Sequence, residues 1–583
     1  MVWFMKTQIR NRRWGILLQF LLVYSWLANL VGTNSFYSVY VLCALAGIYL
    51  MLRDDSQNDK LSRREKEWIL LFSSLFSIAV MMENYANFTP LESFHTQLKI
   101  VCSFLGGLLI AWNILAYLLA GRLSAGETEE DPRKGREWGV FTCVFLTIAG
   151  IDLLYLFFAA YPGVLSADSF SAIEQILSGS YNNTTPYWHT MTVRLFLETG
   201  MALFGDLNAA IACFCCGQIF FLVACMAYAV MTLYQAGIPK PVLAVIYAIY
   251  AFVPYNIVYS VTLWKDVLFG AAALLLCTAL FRILRKIGKM PIWNYGVFAF
   301  GATGFCLWRT NGWYAFFAVV LVILLFQGKH CKKLLLVMLA VLVLCWILIN
   351  PFLMWMDVPE TDSVEAFAVP FQQIARYVAE DGWMDEYERE FLAVAFDLEK
   401  VREVYEPYCV DPVKFQAFRK ENLDYIKENL IGYGKLYLQF LIRSPQTYFE
   451  AWVDETKGFW GAGFPDAVYD LGVAENSLGI TQTGGGNLVA ELYESYFNTV
   501  RWTATFQPLF AIGLHVWAII GCCLTNVLRR RREFLLSVPL IVLAVGLWFG
   551  TPVVAEFRYG YPMMLTAPLI MAVTRYEKPD ILQ

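Results

Sequence analysis

Long apolar runs alternate with short polar segments along most of the chain. A helix needs about 20 apolar residues to cross the hydrocarbon core of a bilayer, and about fourteen segments meet that requirement. They are centred near residues 14–31, 36–52, 68–83, 98–120, 138–160, 208–234, 241–258, 266–284, 291–307, 312–326, 334–352, 503–527, 533–549 and 560–574. The pattern predicts an all-α protein, a polytopic bundle of transmembrane helices.

The basic residues between these segments predict the orientation of the bundle, because Lys and Arg concentrate in cytoplasmic loops. With the N-terminus inside, the basic clusters fall in inside loops, and the outside loops are poor in Lys and Arg. The clusters are Lys60 to Lys66, Arg133 to Arg136, Arg285 to Lys289, Lys329 to Lys333 and Arg529 to Arg532. We therefore expect a multi-pass protein of the cell membrane with an even number of spans and both termini in the cytoplasm.

A long polar stretch separates the eleventh predicted span from the twelfth. Residues 351–500 carry 26 acidic against 11 basic side chains. The apolar spacing of Phe371, Ile374, Ala375 and Val378 is typical of a helix. The chain thus divides into a four-span region (1–137), a core (138–352) with an external loop at 161–192, a mainly helical, acidic extracytoplasmic domain (353–500) and a three-span region (501–583).

Composition agrees with this architecture. Hydrophobic residues make up 58% of the chain and charged residues only 16%, whereas a soluble protein carries roughly a quarter charged residues. Basic stripes with interleaved aromatic residues are absent from the sequence, so we expect no nucleic-acid partner.

Charged residues close to the membrane are costly and therefore mark candidate functional positions. Asp168 lies in the external loop, where either it or Ser166 can cap a following helix. His189 closes the same loop beside Tyr187 and Trp188, which are equally typical of an interfacial anchor.

Three further clusters fall on the same predicted side. Lys265 and Asp266 lie between two spans, where they either neutralise each other or bind a ligand. Arg309 interrupts an apolar stretch on the outer side, and Arg558 follows Glu556 before the last span. A guanidinium group suits a phosphate because it donates two parallel hydrogen bonds. Snorkelling to lipid headgroups is the alternative for Arg309, and a local ion pair is the alternative for Arg558.

The order of these motifs resembles the GT-C superfamily of polytopic glycosyltransferases, which includes protein O-mannosyltransferases and lipid A aminoarabinose transferase. The chain is most similar to an uncharacterised bacterial branch of that group. The resemblance covers about residues 138–575 and depends on five features. These are the loop with Asp168, LFGDLNAA at 203–210, TLWKD at 262–266, WRTNG at 308–312 and EFRYGYP at 556–562.

The resemblance implies an inverting enzyme that moves a sugar from a polyprenyl-phosphate carrier to an extracytoplasmic acceptor. Asp168 would be the catalytic base. Lys265, Arg309 and Arg558 would hold the phosphate, and Asp266 and His189 would be further residues at the acceptor. The sequence shows no His/Cys metal cluster, and a divalent cation (Mg²⁺ or Mn²⁺) is left open as a cofactor.

Two features depart from the family pattern. Many members have a pair of acids in the first external loop, whereas Asp168 is followed by Ser169. Four predicted spans also precede the resembling region. Alternatives to the enzyme are a transporter or flippase for a lipid-linked sugar, a polysaccharide polymerase or ligase, and a non-catalytic envelope scaffold.

Overall fold

The structure, a computed structural model, describes residues 12–31, 61–88, 93–120, 123–124, 135–183, 185–288, 291–327, 332–359, 367–463, 471–483, 486–503 and 506–577. The second predicted span, near 36–52, lies outside these residues, as do parts of the basic loops.

The described chain is helical, apart from short connections and one pair of two-residue strands. The α-helices are α1 (Arg12–Val31), α2 (Arg63–Glu83), α3 (Phe94–Ala120), α4 (Glu137–Phe158), α5 (Ala167–Ser178), α6 (Tyr187–Phe204), α7 (Leu207–Gln235), α8 (Lys240–Phe252), α9 (Pro254–Ser260), α10 (Lys265–Arg285), α11 (Pro291–Leu307), α12 (Thr310–Gln327), α13 (Lys332–Ile349), α14 (Pro351–Trp355), α15 (Ala368–Ala379), α16 (Glu386–Ala395), α17 (Leu398–Val404), α18 (Leu423–Glu428), α19 (Leu430–Arg443), α20 (Pro445–Thr456), α21 (Leu488–Trp502), α22 (Ile512–Leu528), α23 (Val538–Gly550) and α24 (Phe557–Arg575). Strands β1 (Leu123–Ser124) and β2 (Tyr576–Glu577) pair in parallel.

Five stretches of helix in the described chain are long and apolar enough to cross a membrane: 94–119, 137–158, 207–235, 265–285 and 332–355. The bent pair α8 and α9 adds a sixth if it counts as one span. Shorter apolar helices include α11, α12, α22 and α23. This confirms the all-helical class and the transmembrane character of the chain. The sequence predicts about fourteen spans, whereas helix length and composition establish five or six in the described residues.

Helix α10 lies at the centre of the bundle, where it packs against α7, α11 and α24. It is apolar on all sides, and 89% of its most hydrophobic stretch is buried inside the protein. A helix without a polar face is stable only when surrounded by apolar partners. The residues that precede α10 are therefore held at a fixed position at one end of the bundle.

The segment predicted as a span at 241–258 bends by 51° between α8 and α9. Pro254 begins α9 and has no N–H to continue the hydrogen-bond ladder of α8. Asn256 donates to the Ile249 carbonyl across the break (3.0 Å). The break directs the chain towards residues 261–264, which precede α10.

Two helices were not predicted. In α6, Arg194 and Glu198 interrupt the apolar run, but they pair with each other at 2.6 Å while Val193 and Leu197 are buried. Helix α21 follows three consecutive glycines at 484–486, which favour a loop. Its first turn is capped by Asn487, and the Tyr493 hydroxyl donates to the Ile151 carbonyl of α4 (2.9 Å).

Residues 367–463 form a helical domain with its own apolar core, which includes Tyr377, Phe440 and Tyr448. Arg376 crosslinks three acids of this domain, with N–O distances of 2.8 Å to Glu380, 2.6 Å to Glu450 and 2.9 Å to Asp454.

Backbone hydrogen bonds attach this domain to the segment that follows α23. Val410 N–H donates to the Pro552 carbonyl (3.0 Å), and Val554 N–H donates to the Tyr408 carbonyl (2.9 Å). Gly458 N–H donates to the Val554 carbonyl (3.1 Å). The domain thereby fixes the residues that lead into α24.

Candidate functional site

Four distant parts of the chain meet at one end of the bundle: the start of α5, the start of α10, the turn between α11 and α12, and the start of α24. The loop before α5 runs beside the segment before α10. Val164 N–H donates to the Val261 carbonyl (3.0 Å), and Leu263 N–H donates to the Val164 carbonyl (3.1 Å). Gly163 has φ +149°, and a Cβ there would lie 2.7 Å from the sulfur of Cys215. Glycine is therefore required for this close approach.

Side chains lock the first turn of α5 against the same segment. Ser166 is the N-cap of α5, and its Oγ accepts a hydrogen bond from Trp264 Nε1 (2.6 Å). Ser169 Oγ donates to the Leu263 carbonyl (2.8 Å). Because Ser166 caps the helix, the Asp168 carboxylate is not used as a cap.

Asp168 faces two cations from two other helices. Its Oδ2 accepts a hydrogen bond from an Arg558 guanidinium N–H (2.6 Å) and lies 4.0 Å from Lys265 Nζ. Its side chain is 45% exposed, whereas those of Arg558 and Lys265 are 16% and 19% exposed. Burial by itself raises the pKa of Asp168, but the charges of Arg558 and Lys265 outweigh burial and lower that pKa. Asp168 is thus an ionised carboxylate that solvent or a ligand can reach.

A second ion pair lies deeper. Arg309 donates to Oδ1 of Asp266 in a short contact. The Asp266 side chain is fully buried and that of Arg309 is 14% exposed. The other Asp266 oxygen, Oδ2, has no hydrogen-bond partner among the described residues. The predicted neighbours Lys265 and Asp266 therefore do not pair with each other: Lys265 faces Asp168, and Asp266 faces Arg309.

Aromatic rings separate and orient the two arginines. The Arg309 guanidinium lies 4.3 Å from the centre of the Tyr559 ring, and that of Arg558 lies 5.5 Å from it. Arg558 also lies 4.9 Å from the Trp264 ring and 3.1 Å from Glu556. Such cation–π contacts keep guanidinium groups in place without neutralising them.

The turn that carries Arg309 is tightly packed. Gly312 N–H donates to the Arg309 carbonyl (2.9 Å). A Cβ at Gly312 would lie 1.8 Å from the Phe305 carbonyl oxygen. Any other residue at position 312 would therefore displace the turn and move Arg309.

His189 lies beneath these charges, near enough to interact electrostatically with Lys265 and Asp168. It is 1% exposed, and neither ring nitrogen has a hydrogen-bond partner among the described residues. Its ring packs edge-on against Phe214. The structure thus brings the six predicted residues into one neighbourhood, in which Asp168 is half-exposed and Asp266 and His189 are buried.

Residues 471–483, which we call the strap, cover the loop before α5. Leu165 N–H donates to the Gly472 carbonyl (3.1 Å), and Ala474 N–H donates to the Leu165 carbonyl (2.8 Å). Thr483 N–H donates to the Tyr161 carbonyl (3.0 Å). The strap therefore holds the loop that leads to Asp168.

Sequence reasoning did not identify Tyr559, Trp264 or the strap as parts of the site. The two aromatic residues adjoin Arg558 and Lys265 in the sequence, which is a signal that could have pointed to them. The strap is held by backbone hydrogen bonds and by scattered side chains, such as Gln482, whose Nε2 donates to the Ala159 carbonyl (2.7 Å). No single local pattern in the sequence therefore marks it.

The residues present do not fit a divalent cation. Asp168 and Asp266 each face an arginine. Within the described part of the chain, no group of three or more His, Cys, Asp or Glu side chains is arranged to hold a metal. A hard cation such as Mg²⁺ requires several oxygen ligands, so no step below uses one.

The fold and these charges define an all-helical membrane protein with a charged site at one end of its bundle. The chain belongs to DUF6020, a family of unknown function, whose profile matches residues 178–582. Five of the predicted site residues lie inside the matched segment, and Asp168 lies ten residues before it. No curated protein and no solved structure matches the chain significantly.

Proposed function

We propose that the protein is a membrane glycosyltransferase of the GT-C type. It transfers a sugar from a polyprenyl-phosphate carrier to an acceptor outside the cytoplasm, such as a cell-envelope polymer, a lipid or a protein. The observation that carries the proposal is a half-exposed carboxylate, Asp168, held against Lys265 and Arg558 at the end of an apolar bundle.

In the proposed reaction, Asp168 accepts the proton of the acceptor hydroxyl as its oxygen attacks the anomeric carbon. The new C–O bond forms on the face opposite the leaving phosphate, so the anomeric configuration inverts. The bond from the anomeric carbon to the phosphate oxygen breaks, and the electron pair stays on the carrier phosphate. Lys265, Arg558 and Arg309 stabilise the charge that develops on this phosphate.

The ion pairs of the site support this division of roles. A lowered pKa makes Asp168 a weak base while it is paired with Arg558. A phosphate that binds Arg558 and Lys265 competes with Asp168 for both cations, so donor binding raises the basicity of Asp168. The carboxylate is thereby activated only when the donor is in place.

The proposal includes the topology predicted from the sequence. The bundle has about fourteen spans, both termini are cytoplasmic, and the site and the acidic domain face the outside. The bilayer then supplies the lipid donor from the side, and the external domain meets the acceptor.

The test compares purified wild type with Asp168→Asn. Each is incubated with a panel of polyprenyl-phosphate sugars and cell-envelope extract, and release of free polyprenyl phosphate is measured. Since a general base contributes about 10²- to 10⁴-fold, we expect release to fall by that factor in the variant.

Asp206→Asn is the matched control. The Asp206 carboxylate caps α7 by accepting the Ala209 N–H (2.8 Å), and Asn caps helices equally well. This variant should retain wild-type release. Equal release by wild type and Asp168→Asn would show that Asp168 is not the base.

A transporter or flippase for a lipid-linked sugar is the second candidate. The 51° break between α8 and α9 favours it, because transporters bind their substrates at broken helices. Asp152, a buried acid within α4, lies near Ser260 at the end of α9. Movement of an intact lipid-linked sugar across proteoliposomes, without release of polyprenyl phosphate, would favour this function over the enzyme.

A further inference from the structure

A groove opens at the end of the bundle opposite the site. Helix α24 starts at the site with Arg558 and runs to Arg575. At that far end Arg531 donates to the Thr574 carbonyl (3.1 Å). The turn after α22 and the start of α2 adjoin a cavity of about 450 Å³ there. This groove is separate from the charges around Asp168.

The walls of the groove are apolar. They include Trp68 of α2, Leu524 and Val527 of α22, and Ile541 of α23. Trp68 and Val527 are exposed. Leu71 and Leu75 are exposed as well and continue the face of Trp68 along α2, since residues three and four apart share a helix face. The groove thus leads into an apolar stripe that runs along the helix.

Two arginines line the mouth of the groove: Arg64 and Arg530. Both are exposed, and no ion pair of either is present among the described residues. Glu65 also lines the groove, but its carboxylate already accepts two hydrogen bonds. They come from the N–H and the hydroxyl of Ser62, both at 2.7 Å. The neighbouring Arg63 pairs with Glu67 (3.0 Å).

The backbone places Arg530 in a conformation that arginine rarely adopts. Its φ is +56°, and it follows the C-cap of α22. Arg531 N–H donates to the Asn526 carbonyl (2.8 Å), and Arg530 N–H donates to the Val527 carbonyl (3.0 Å). Glycine is the usual residue here, because a side chain at positive φ is sterically strained. Arginine at this position instead brings a guanidinium group to the mouth of the groove.

We propose that this groove binds one anionic phospholipid. The headgroup phosphate binds Arg64 and Arg530, whose guanidinium groups suit its oxygens. An acyl chain follows Trp68, Leu71 and Leu75. Basic pockets between membrane helices bind anionic headgroups in this way. In the proposed orientation this end of the bundle faces the cytoplasm.

The test measures lipid binding by native mass spectrometry of the purified full-length protein. Phosphatidylglycerol is compared with phosphatidylcholine, which carries no net charge. We expect Arg64→Ala/Arg530→Ala to weaken phosphatidylglycerol binding at least about tenfold, because two charge-assisted hydrogen-bonding groups are lost. Binding of phosphatidylcholine should be weak in both proteins.

Arg63→Ala/Arg532→Ala is the matched control, because it removes the same charge at the same end of the bundle. It should change binding less than about twofold, because neither Arg63 nor Arg532 lines the groove. Equal losses in the two double variants would overturn the proposal, since binding would then reflect diffuse surface charge. Unchanged binding in Arg64→Ala/Arg530→Ala would overturn it as well.

A third variant blocks the groove itself, so the test does not depend on whether the arginine variant folds. Val527→Trp fills the groove and keeps every charge, so it should also abolish phosphatidylglycerol binding. A photocrosslinker at position 527 should capture lipid. Capture of residues 32–60 of the same chain would overturn the proposal, because the groove would then be covered by the protein itself.

Discussion

The ring of Tyr559 contacts both guanidinium groups of the site. It holds the two cations near each other without supplying a negative charge, so contacts of this kind neutralise neither arginine. The balancing charges come from Asp168, which pairs with Arg558, and from Asp266, which pairs with Arg309.

Glu455 is a buried acidic residue of the 367–463 domain. Its side chain is fully buried, and neither carboxylate oxygen has a hydrogen-bond partner among the described residues. Burial raises the pKa of Glu455 to about 9, although the charge of Lys414 opposes the shift. Glu455 is therefore protonated in the folded protein at neutral pH and ionised in the unfolded chain.

We predict that Glu455→Gln stabilises the protein at alkaline pH. The raised pKa means that stability is highest below about pH 4.5 and declines as pH rises towards about 9; the loss is about 3 kcal/mol at pH 7. Glutamine does not ionise, so its midpoint of thermal unfolding should exceed that of wild type near pH 8 and match it near pH 5. Tryptophan fluorescence of the two purified proteins measures the midpoint of thermal unfolding at each pH.

Glu390→Gln is the control for this experiment, because Glu390 is exposed. At every pH, its midpoint of thermal unfolding should stay close to that of wild type. If Glu455→Gln followed the same pH dependence as wild type, Glu455 would be ionised in the folded protein.

At the scale of residues, the sequence singled out charges that the structure brings close together, but it did not predict how they pair. Because charge near a membrane is costly, the sequence predicts functional positions at its charged residues there. These are Asp168, Lys265, Asp266, Arg309 and Arg558. The bond between Asp168 and Arg558 joins residues 390 apart in the chain. Such a partner follows from the packing of α5, α10 and α24, which local patterns do not encode.

At the scale of elements, the turn of the strap depends on one polar side chain. Asn476 organises its turn: Nδ2 donates to the carbonyls of Ala474 (3.0 Å) and Ile480 (2.8 Å). Its Oδ1 accepts from the N–H groups of Leu478 (3.1 Å) and Ile480 (3.0 Å). Each hydrogen bond contributes about 1 kcal/mol, so this single residue holds the turn in shape.

We predict that Asn476→Ala loosens the strap without unfolding the domain. Hydrogen exchange of the amides in residues 472–483 should accelerate about tenfold or more, since two or more hydrogen bonds are lost. Exchange around Tyr377 and Phe440, in the core of the domain, should stay unchanged.

Asn476→Asp tests the two halves of the amide separately. Aspartate keeps the acceptor oxygen and loses the donor, so exchange should rise by less than in Asn476→Ala. Faster exchange throughout the domain in either variant would mean that the strap and the domain unfold together.

Element prediction succeeded where the apolar runs were long and failed where charge or proline intervened. Helices α4, α7 and α10 follow runs that the sequence shows directly. Helix α6 was missed because an ion pair lies on its exposed face, and α8 and α9 were merged because Pro254 lies inside an apolar run. The helix α21 follows a glycine-rich stretch whose local pattern favours loops.

At the scale of the whole molecule, the domain and the bundle form a connected structure. Glu83, at the end of α2, accepts hydrogen bonds from the N–H groups of Ala462 (2.7 Å) and Gly463 (2.8 Å). The same domain holds the segment before α24 through Pro552 and Val554. The N-terminal helices, whose role the sequence left open, are thereby linked to the residues that position Arg558.

We predict that opposite ends of this structure lie on opposite sides of the membrane. Cysteine replaces Glu475, in the strap, or Arg63, at the start of α2; both residues are exposed. A membrane-impermeant maleimide added to intact cells should label Glu475→Cys above the parent protein and leave Arg63→Cys at the level of the parent. Permeabilised cells should show labelling of both.

The reverse pattern would place the site in the cytoplasm and contradict the proposed topology. Labelling of both variants in intact cells would mean that the two ends share one side, and the span count would then be wrong.

The pairing of Asp168 with Arg558 has a consequence for selectivity. Three acids, Asp168, Asp266 and Glu556, balance the charges of three cations, Lys265, Arg309 and Arg558. The side chains of the site therefore sum to no net charge. A small anion must displace a carboxylate before it can pair with a cation, and it has no other group that contributes to binding. A ligand anchored in the bilayer by a long hydrocarbon tail is already concentrated beside the site, so it can compete with the carboxylate. Under the proposed function, this balance of charge therefore favours a lipid-linked donor over soluble phosphates.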